Sequence, residues 1–254
     1  LKKIKPNKKP NNNNSKRADY ITTTAKTTNK MSVELLQENF SKCVKGYHLV
    51  NSSPINETIW EDLNSLIFTS SNIEVYSKSE GSHAPGMDIN SSFGKLSNKS
   101  AKYSKNKKSL DISSYRLTTV CNNSSCGTPQ EIIEEINKRK NFDYYSFILR
   151  DETTDPNTTT YDWMLIPSNY PPLDTSQYTW EPSFSKKNNH VQTGWKTTNE
   201  INGCKMSITF SMSSQLWIHI EMTEDIKKFV VATATASKTP KLNYIQLAAE
   251  TTTL

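Results

Sequence analysis

At 254 residues the chain is long enough for one substantial hydrophobic core with a small lobe or tails, and its 34% hydrophobic content includes no apolar run long enough for a membrane-spanning helix. The net charge of +6 sits at one end: residues 1–30 hold nine Lys/Arg against Asp19 alone, a local +8 that leaves the remainder at −2. A uniformly basic body is thereby excluded, and so is a secretory signal in the first thirty residues, which contain no apolar h-region.

Residues 1–30, with their Pro and Asn runs, read as a basic, low-complexity arm that cannot bury enough apolar surface to fold alone. Such an arm suits a solvated extension, a non-specific nucleic-acid contact or attachment to a larger assembly. Met31 reads as a native start, with the preceding segment an extension. Residues 31–231 read as the folded domain, and 232–254 (from ATATASKTPK to AAETTTL) as a polar C-terminal tail. Cys43, Cys121, Cys126 and Cys204 are scattered, and no second Cys/His pair follows Cys121 and Cys126 at zinc spacing. That usage suits a reducing compartment, so an intracellular location is expected, cytoplasmic or within a virus particle.

In chain order, Val33, Leu35, Leu36, Phe40 and Val44 recur at helical spacing, and a turn-rich HLVNSSPIN follows. Asn56 caps a second helix, ETIWEDLNSLIF, whose Ile59, Trp60, Leu63, Leu66 and Ile67 form the inward side. The segment from Ile73 to Lys105 reads as strand, turn, strand, hairpin and strand. LDISSYRLTTV is either extended or a helix entry. Thr128-Pro129 starts a helix that runs acidic to basic, as the helix dipole favours. YYSFILR (144–150) and YDWMLIP (161–167) pair as a hairpin, 168–200 is irregular and aromatic, and KMSITFSM (205–212) and QLWIHIEM (215–222) are strands. Helices, strands, a helix and more strands imply an α/β domain with a mixed central sheet flanked by helices.

The chemistry concentrates in Gly81–Lys102, GSHAPGMDINSSFGKLSNKSAK. The Ala84-Pro85-Gly86 turn delivers Asp88 at the start of an extended segment, a hairpin around Asn90–Gly94 reverses the chain, and Lys99 follows. On adjacent strands this spacing brings a carboxylate and an ammonium to one end of a sheet. Phosphodiester hydrolysis uses that pair: the carboxylate holds Mg²⁺, and the Lys stabilises developing charge or orients the attacking water.

Pro85-Gly86-Met87-Asp88-Ile89 followed by Ser97-Asn98-Lys99-Ser100 resembles the signature of the PD-(D/E)xK nucleases, and among them the type II restriction endonucleases. Trp60-Glu61 is similar to the helix acid that many members contribute. The resemblance covers about residues 57–102 closely, and extends by element order to about residue 222. It implies a restriction-endonuclease-like fold, sequence-specific cleavage of double-stranded DNA with Mg²⁺, a homodimer, and a site built from Asp88, Lys99, Glu61 and Ser97, with Asp88 and Glu61 on the metal. Two departures stand out: Pro85 is not adjacent to Asp88, and Ser97 occupies the usual second acid position. Members with Ser-x-Lys there recruit a carboxylate from elsewhere, for which Glu61, Asp111 and Glu80 are candidates. Lys102 is the register alternative to Lys99.

For DNA contacts, Lys95, Lys105, Lys107, Lys108 and Arg116 form a basic cluster beside the site, His83 lies in the preceding turn, and Gln215 in SMSSQLW is a side chain suited to adenine. The alternative function is a weakened nuclease fold serving as a DNA-binding or virion structural protein. The two polar ends and Ser97 favour it.

Overall fold

The structure, a computed structural model, describes residues 33–78, 86–104, 108–116, 121–122, 125–126, 128–187, 190–210 and 215–251. Its first element is helix α1 (Val33–Val50), followed by α2 (Glu57–Ser70). Helix α2 begins as its sequence directs, with the Asn56 side chain accepting a hydrogen bond from the Ile59 amide. Helix α1 runs past the expected turn at His48. The His48 ring is buried, bonding through Nε2 to the Tyr161 hydroxyl at 2.9 Å and through Nδ1 to the Asn51 carbonyl at 3.0 Å, so the helix continues until that anchor is made.

Strands β1 (Val75–Lys78), β2 (Ile89–Ser91), β3 (Gly94–Lys102), β7 (Tyr144–Asp151), β8 (Thr158–Pro167) and β13 (Val230–Ser237) form a six-stranded sheet in the order β1-β2-β3-β7-β8-β13. Only β3 and β7 run parallel; the other neighbours are antiparallel, including the expected β7–β8 hairpin. The connection from β3 to β7 carries strand β4 (Ser109–Arg116), the short β5 (Cys121–Asn122) and β6 (Ser125–Cys126), and helix α3 (Pro129–Arg139). Thr128 caps α3 in a capping box with Glu131, with Pro129 in the first turn. The undecided LDISSYR segment is thus a strand.

It belongs to a second, wholly antiparallel sheet, β4-β12-β11-β10-β9, built with β9 (Trp180–Phe184), β10 (Gln192–Thr197), β11 (Cys204–Thr209) and β12 (Gln215–Glu221). Residues 168–200, expected to be irregular, therefore hold two strands, preceded by the 3₁₀ turns Pro171–Leu173 and Thr175–Gln177. Their alternation is hidden because β9, at the sheet's edge, exposes three of its five residues, and the one residue that β10 buries is Gly194, which carries no apolar signal.

Alternation along β7 shows the layering. Tyr145, Phe147 and Leu149 pack with Ile132 and Ile136 of α3 and with Ile218, Ile208 and Met206 of the second sheet, whereas Ile148 points to Leu36, Phe40 and Trp60 of the α1/α2 layer. The architecture is α/β: a mixed sheet with α1 and α2 on one face, and α3 with the antiparallel sheet on the other.

The C-terminal segment departs from the expected tail. After the single-turn helix α4 (Glu224–Lys227), β13 pairs with β8 over Val230–Ser237, and Ala232, Ala234 and Ala236 are buried against α1. Small residues let the helix approach closely. On this edge strand the Gln37 side chain both donates to the Thr233 carbonyl at 2.7 Å and accepts from its amide at 3.0 Å, standing in for a further strand. A last helix, α5, covers Tyr244–Thr251. No helix among the described residues is long and apolar enough to cross a membrane.

Candidate functional site

The β2–β3 hairpin forms as its sequence implies, with Ile89 opposite Leu96 and Ser91 opposite Gly94. Asp88 enters it by donating its amide to the Leu96 carbonyl at 2.8 Å. The backbone at Gly86 is held by close packing: Gly86 has φ +92°, and an added Cβ would lie 2.2 Å from both the Arg139 carbonyl and Asn141 Oδ1, so only glycine lets the chain pass the end of α3 here; Ala84 and Pro85 lie outside the described residues.

Leu96 and Asn98 face the α1/α2 layer, while Ser97 and Lys99 alternate to the side on which Asp88 lies. A buried polar network supports this register. Asn64 of α2 donates to Asn98 Oδ1 at 2.6 Å and to Ser146 Oγ at 2.8 Å, and Trp163 Nε1 donates to the same hydroxyl at 3.0 Å. A one-residue slip of β3 would break the network and turn Lys99 to the other face.

The site itself joins β2, β3 and the N-terminal turns of α2. Asp88 Oδ2 accepts from the Asn98 amide at 2.5 Å and lies 3.9 Å from Lys99 Nζ. Lys99 Nζ donates to Glu57 Oε1 at 2.8 Å and to the Asn98 carbonyl at 2.5 Å. Both members of the expected pair are shielded, with side-chain exposures of 13% for Asp88 and 12% for Lys99. Ser97 is buried, and its hydroxyl hydrogen-bonds to Asp88. Glu61 is one turn along α2 from Glu57 and feels the same charges.

Those charges are unbalanced. Burial, then the Asp88 and Glu57 carboxylates, push Glu61 up to about 7 against the opposing pull of Lys99. Burial also raises Asp88, although the Lys99 ammonium and the Asn98 amide work the other way. Lys99 is raised: burial would lower it, but Glu57 and Asp88 outweigh that cost. Three carboxylates therefore surround one ammonium in a partly desolvated place. Hard oxygen donors with surplus negative charge fit a divalent cation such as Mg²⁺ in donor chemistry. Among the described residues, however, no group of three or more His, Cys, Asp and Glu side chains is arranged to hold a metal ion.

Of the other expected residues, Lys102 is at the far end of β3, paired with Glu152 at 2.5 Å, so Lys99 is the lysine brought to Asp88. Asp111 is on the second sheet, bonded to His219 at 2.6 Å, and does not join Asp88. Its position depends on β4 leaving the first sheet, which no local pattern reveals. Lys95 and Lys108 are exposed. Gln215 is at the start of β12, accepting from Ser113 Oγ at 2.9 Å. Arg116 is opposite Gln215 in the β4–β12 ladder, its side chain outside the described residues. Glu80, His83, Lys105 and Lys107 also lie outside the described residues. Sequence reasoning missed Glu57, the direct partner of Lys99. Its signal was present, because Glu57 and Glu61 are four apart and share a helix face.

No protein-family model, curated protein or solved structure matches this chain.

Proposed function

We propose that the chain is a Mg²⁺-dependent endonuclease of restriction-endonuclease-like fold, cutting double-stranded DNA at a specific sequence as a homodimer. The observation that carries this reading is the convergence of Asp88 at the start of the β2–β3 hairpin, Lys99 of β3, and Glu57 and Glu61 of α2 into one carboxylate-rich place, in which Asp88 and Lys99 are shielded. Asp88 and Glu61 would hold the metal. When bound, Mg²⁺ supplies Lewis-acid polarisation of the phosphoryl oxygen and a more acidic water. Lys99 Nζ, already desolvated, is placed to donate to a phosphate oxygen or to the attacking water. Glu57 keeps that ammonium charged and oriented, and Ser97 fixes the Asp88 carboxylate. Exposed Lys95 and Lys108, with Lys105, Lys107 and Arg116, supply cations for the DNA backbone. Intracellular action is part of this proposal.

A second reading, a weakened nuclease fold used for DNA binding or virion assembly, is favoured by one feature. Lys99 Nζ is committed to Glu57 Oε1 and the Asn98 carbonyl, and the usual second acid is Ser97. Incubation of the full chain with mixed-sequence DNA and Mg²⁺ decides between them. Discrete fragments are expected, lost with EDTA and slowed about a thousandfold in Asp88→Ala and Lys99→Ala. Intact DNA with any divalent metal, together with salt-sensitive binding, would overturn the nuclease in favour of the second reading.

A further inference from the structure

The outer face of the second sheet carries an ordered constellation that the nuclease reading does not use. His219 on β12 bonds through Nδ1 to Asp111 Oδ1 at 2.6 Å and through Nε2 to Ser207 Oγ at 2.9 Å. A carboxylate only accepts, so in the neutral ring Nδ1 carries the proton and Nε2 is left to accept from the serine hydroxyl. Carboxylate, imidazole and hydroxyl are thus linked in the order in which a base is oriented and a nucleophile activated.

The ladder explains the placement. His219 is directly opposite Asp111 on β4 and Lys205 on β11, and Ser207 is two residues beyond Lys205 on the same face. Cys204, Met206 and Ile208 of β11, with Ile218 and Ile220 of β12, point the other way into the core. That rigid inner packing fixes the outer row. Lys196 of β10 is directly opposite Ser207, and Lys205 precedes it by two residues on the same face; Lys196 is paired to Glu181 at 3.0 Å and Lys205 to Glu200 at 2.6 Å. Trp217 is opposite Ser207 on the β12 side and offers an apolar neighbour.

We propose that Ser207, His219 and Asp111 form a second, nucleophilic site that hydrolyses accessible carboxylic esters of small acyl groups. Ser207 Oγ attacks the ester carbonyl carbon while His219 Nε2 takes the hydroxyl proton. The negative oxygen that develops is stabilised by Lys196 and Lys205, where an oxyanion hole of backbone amides would otherwise serve. The bond to the alcohol oxygen breaks as His219 returns the proton to it, leaving acyl-Ser207. Water then attacks the acyl carbon, giving a proton to His219, which passes it to Ser207 Oγ as the carboxylic acid leaves. Ester and water become acid and alcohol with no other reactant. Because Ser207 is on an open sheet face, an ester displayed on a larger molecule can reach it.

The rival account is a polar cross-strand ladder without reactivity. Treating the full chain with a fluorophosphonate probe and mapping the adduct by mass spectrometry separates the two. A single adduct on Ser207 is expected, together with hydrolysis of 4-nitrophenyl acetate. Both should fall about a hundredfold in His219→Gln, the loss of a general base, and vanish in Ser207→Ala. Ser113→Ala, on the same face, should react as the parent does, and Asp88→Ala should leave labelling intact, so that failure here is distinct from failure of the nuclease. Absence of an adduct, or equal labelling with and without the His219 imidazole in variants whose melting curves match the parent, would overturn the proposal.

Discussion

Two histidines make the same kind of double contact in opposite surroundings. His48 is 4% exposed between α1 and the six-stranded sheet, and uses its two nitrogens to join Asn51 and Tyr161. His219, with a side-chain exposure of 41%, uses its two nitrogens to join Asp111 and Ser207 on the open face of the other sheet. Water can replace the partners of His219 but not those of His48. Polar groups in the α1/α2 layer therefore act on stability and on register, whereas those on the outer face of the second sheet are free to act on chemistry. An exposed pair such as His219–Asp111 contributes only about 0–1 kcal/mol, which is why Asp111 and His219 can be altered to test reactivity without unfolding the chain.

The comparison breaks most readily at Trp163. Its ring is fully buried and meets Phe40, Trp60 and Phe68 at centroid distances of 5.9, 5.6 and 5.8 Å, and its Nε1 donates to Ser146. Trp163→Ala should cost about 3–5 kcal/mol through the cavity it leaves. Urea denaturation followed by tyrosine fluorescence would show it as an early midpoint. A loss under about 1 kcal/mol would mean that the α1/α2 layer is not packed as described.

Asn64 gives the next largest effect and links the layer to the site. Asn64→Ala removes the donor to Asn98 and Ser146; Ser146 keeps Trp163, but the buried Asn98 Oδ1 is left unpaired, at a cost of about 1–3 kcal/mol. Because Asn98 lies between Ser97 and Lys99, the variant should also slow the proposed DNA cleavage more than a remote variant of equal stability loss does, such as Thr128→Ala at about 1 kcal/mol. Cleavage rates that track stability alone in the two variants would confine the network to a packing role.

How much of this was legible follows from whether the controlling contacts are local. The caps Asn56 and Thr128, the β2–β3 hairpin and the β7–β8 hairpin rest on neighbours in sequence, and each formed where its residues indicated. The pairing of Asp88 with Lys99 is likewise a hairpin property. Strand β13 was not legible as a strand because its inward residues are Ala232, Ala234 and Ala236, whose alternation with Thr reads as polar. Only the approach of α1 makes alanine the right size there. Asp111 failed as a site carboxylate for a similar reason: its surroundings are set by β12, more than a hundred residues away, and not by its distance along the chain from Lys99. Glu57 was overlooked although its helix register pointed at the site, because the motif draws attention to the acid beside Trp60.

The mildest way to sharpen the contrast between layers is acid. Burial lowers the pKa of His48, with the Asn51 carbonyl resisting that shift in part. In the unfolded chain its imidazole takes up a proton near pH 6.5, so below that pH the unfolded state binds a proton that the native state refuses. The contribution of His48 to stability should therefore fall as pH drops below about 6.5, and level off once the native ring also protonates. Asp151 acts in a separate window. Burial would raise its carboxyl, but hydrogen bonds from the Thr153 and Thr154 amides and hydroxyls outweigh that and hold it at about 2. Its contribution is present above about pH 4 and is lost as pH falls towards 2. Glu61 works the other way in the upper window: its native carboxyl, raised to about 7, takes up a proton that the unfolded chain refuses, so it adds stability as pH falls. Chemical denaturation at steps from pH 7.5 to 2.5 is therefore read as differences between variants: the parent's margin over His48→Gln should shrink below about pH 6.5, and its margin over Asp151→Asn below about pH 4. A margin over His48→Gln that stays constant from pH 7.5 to about 4.5 would show that this buried imidazole does not couple the α1 layer to pH.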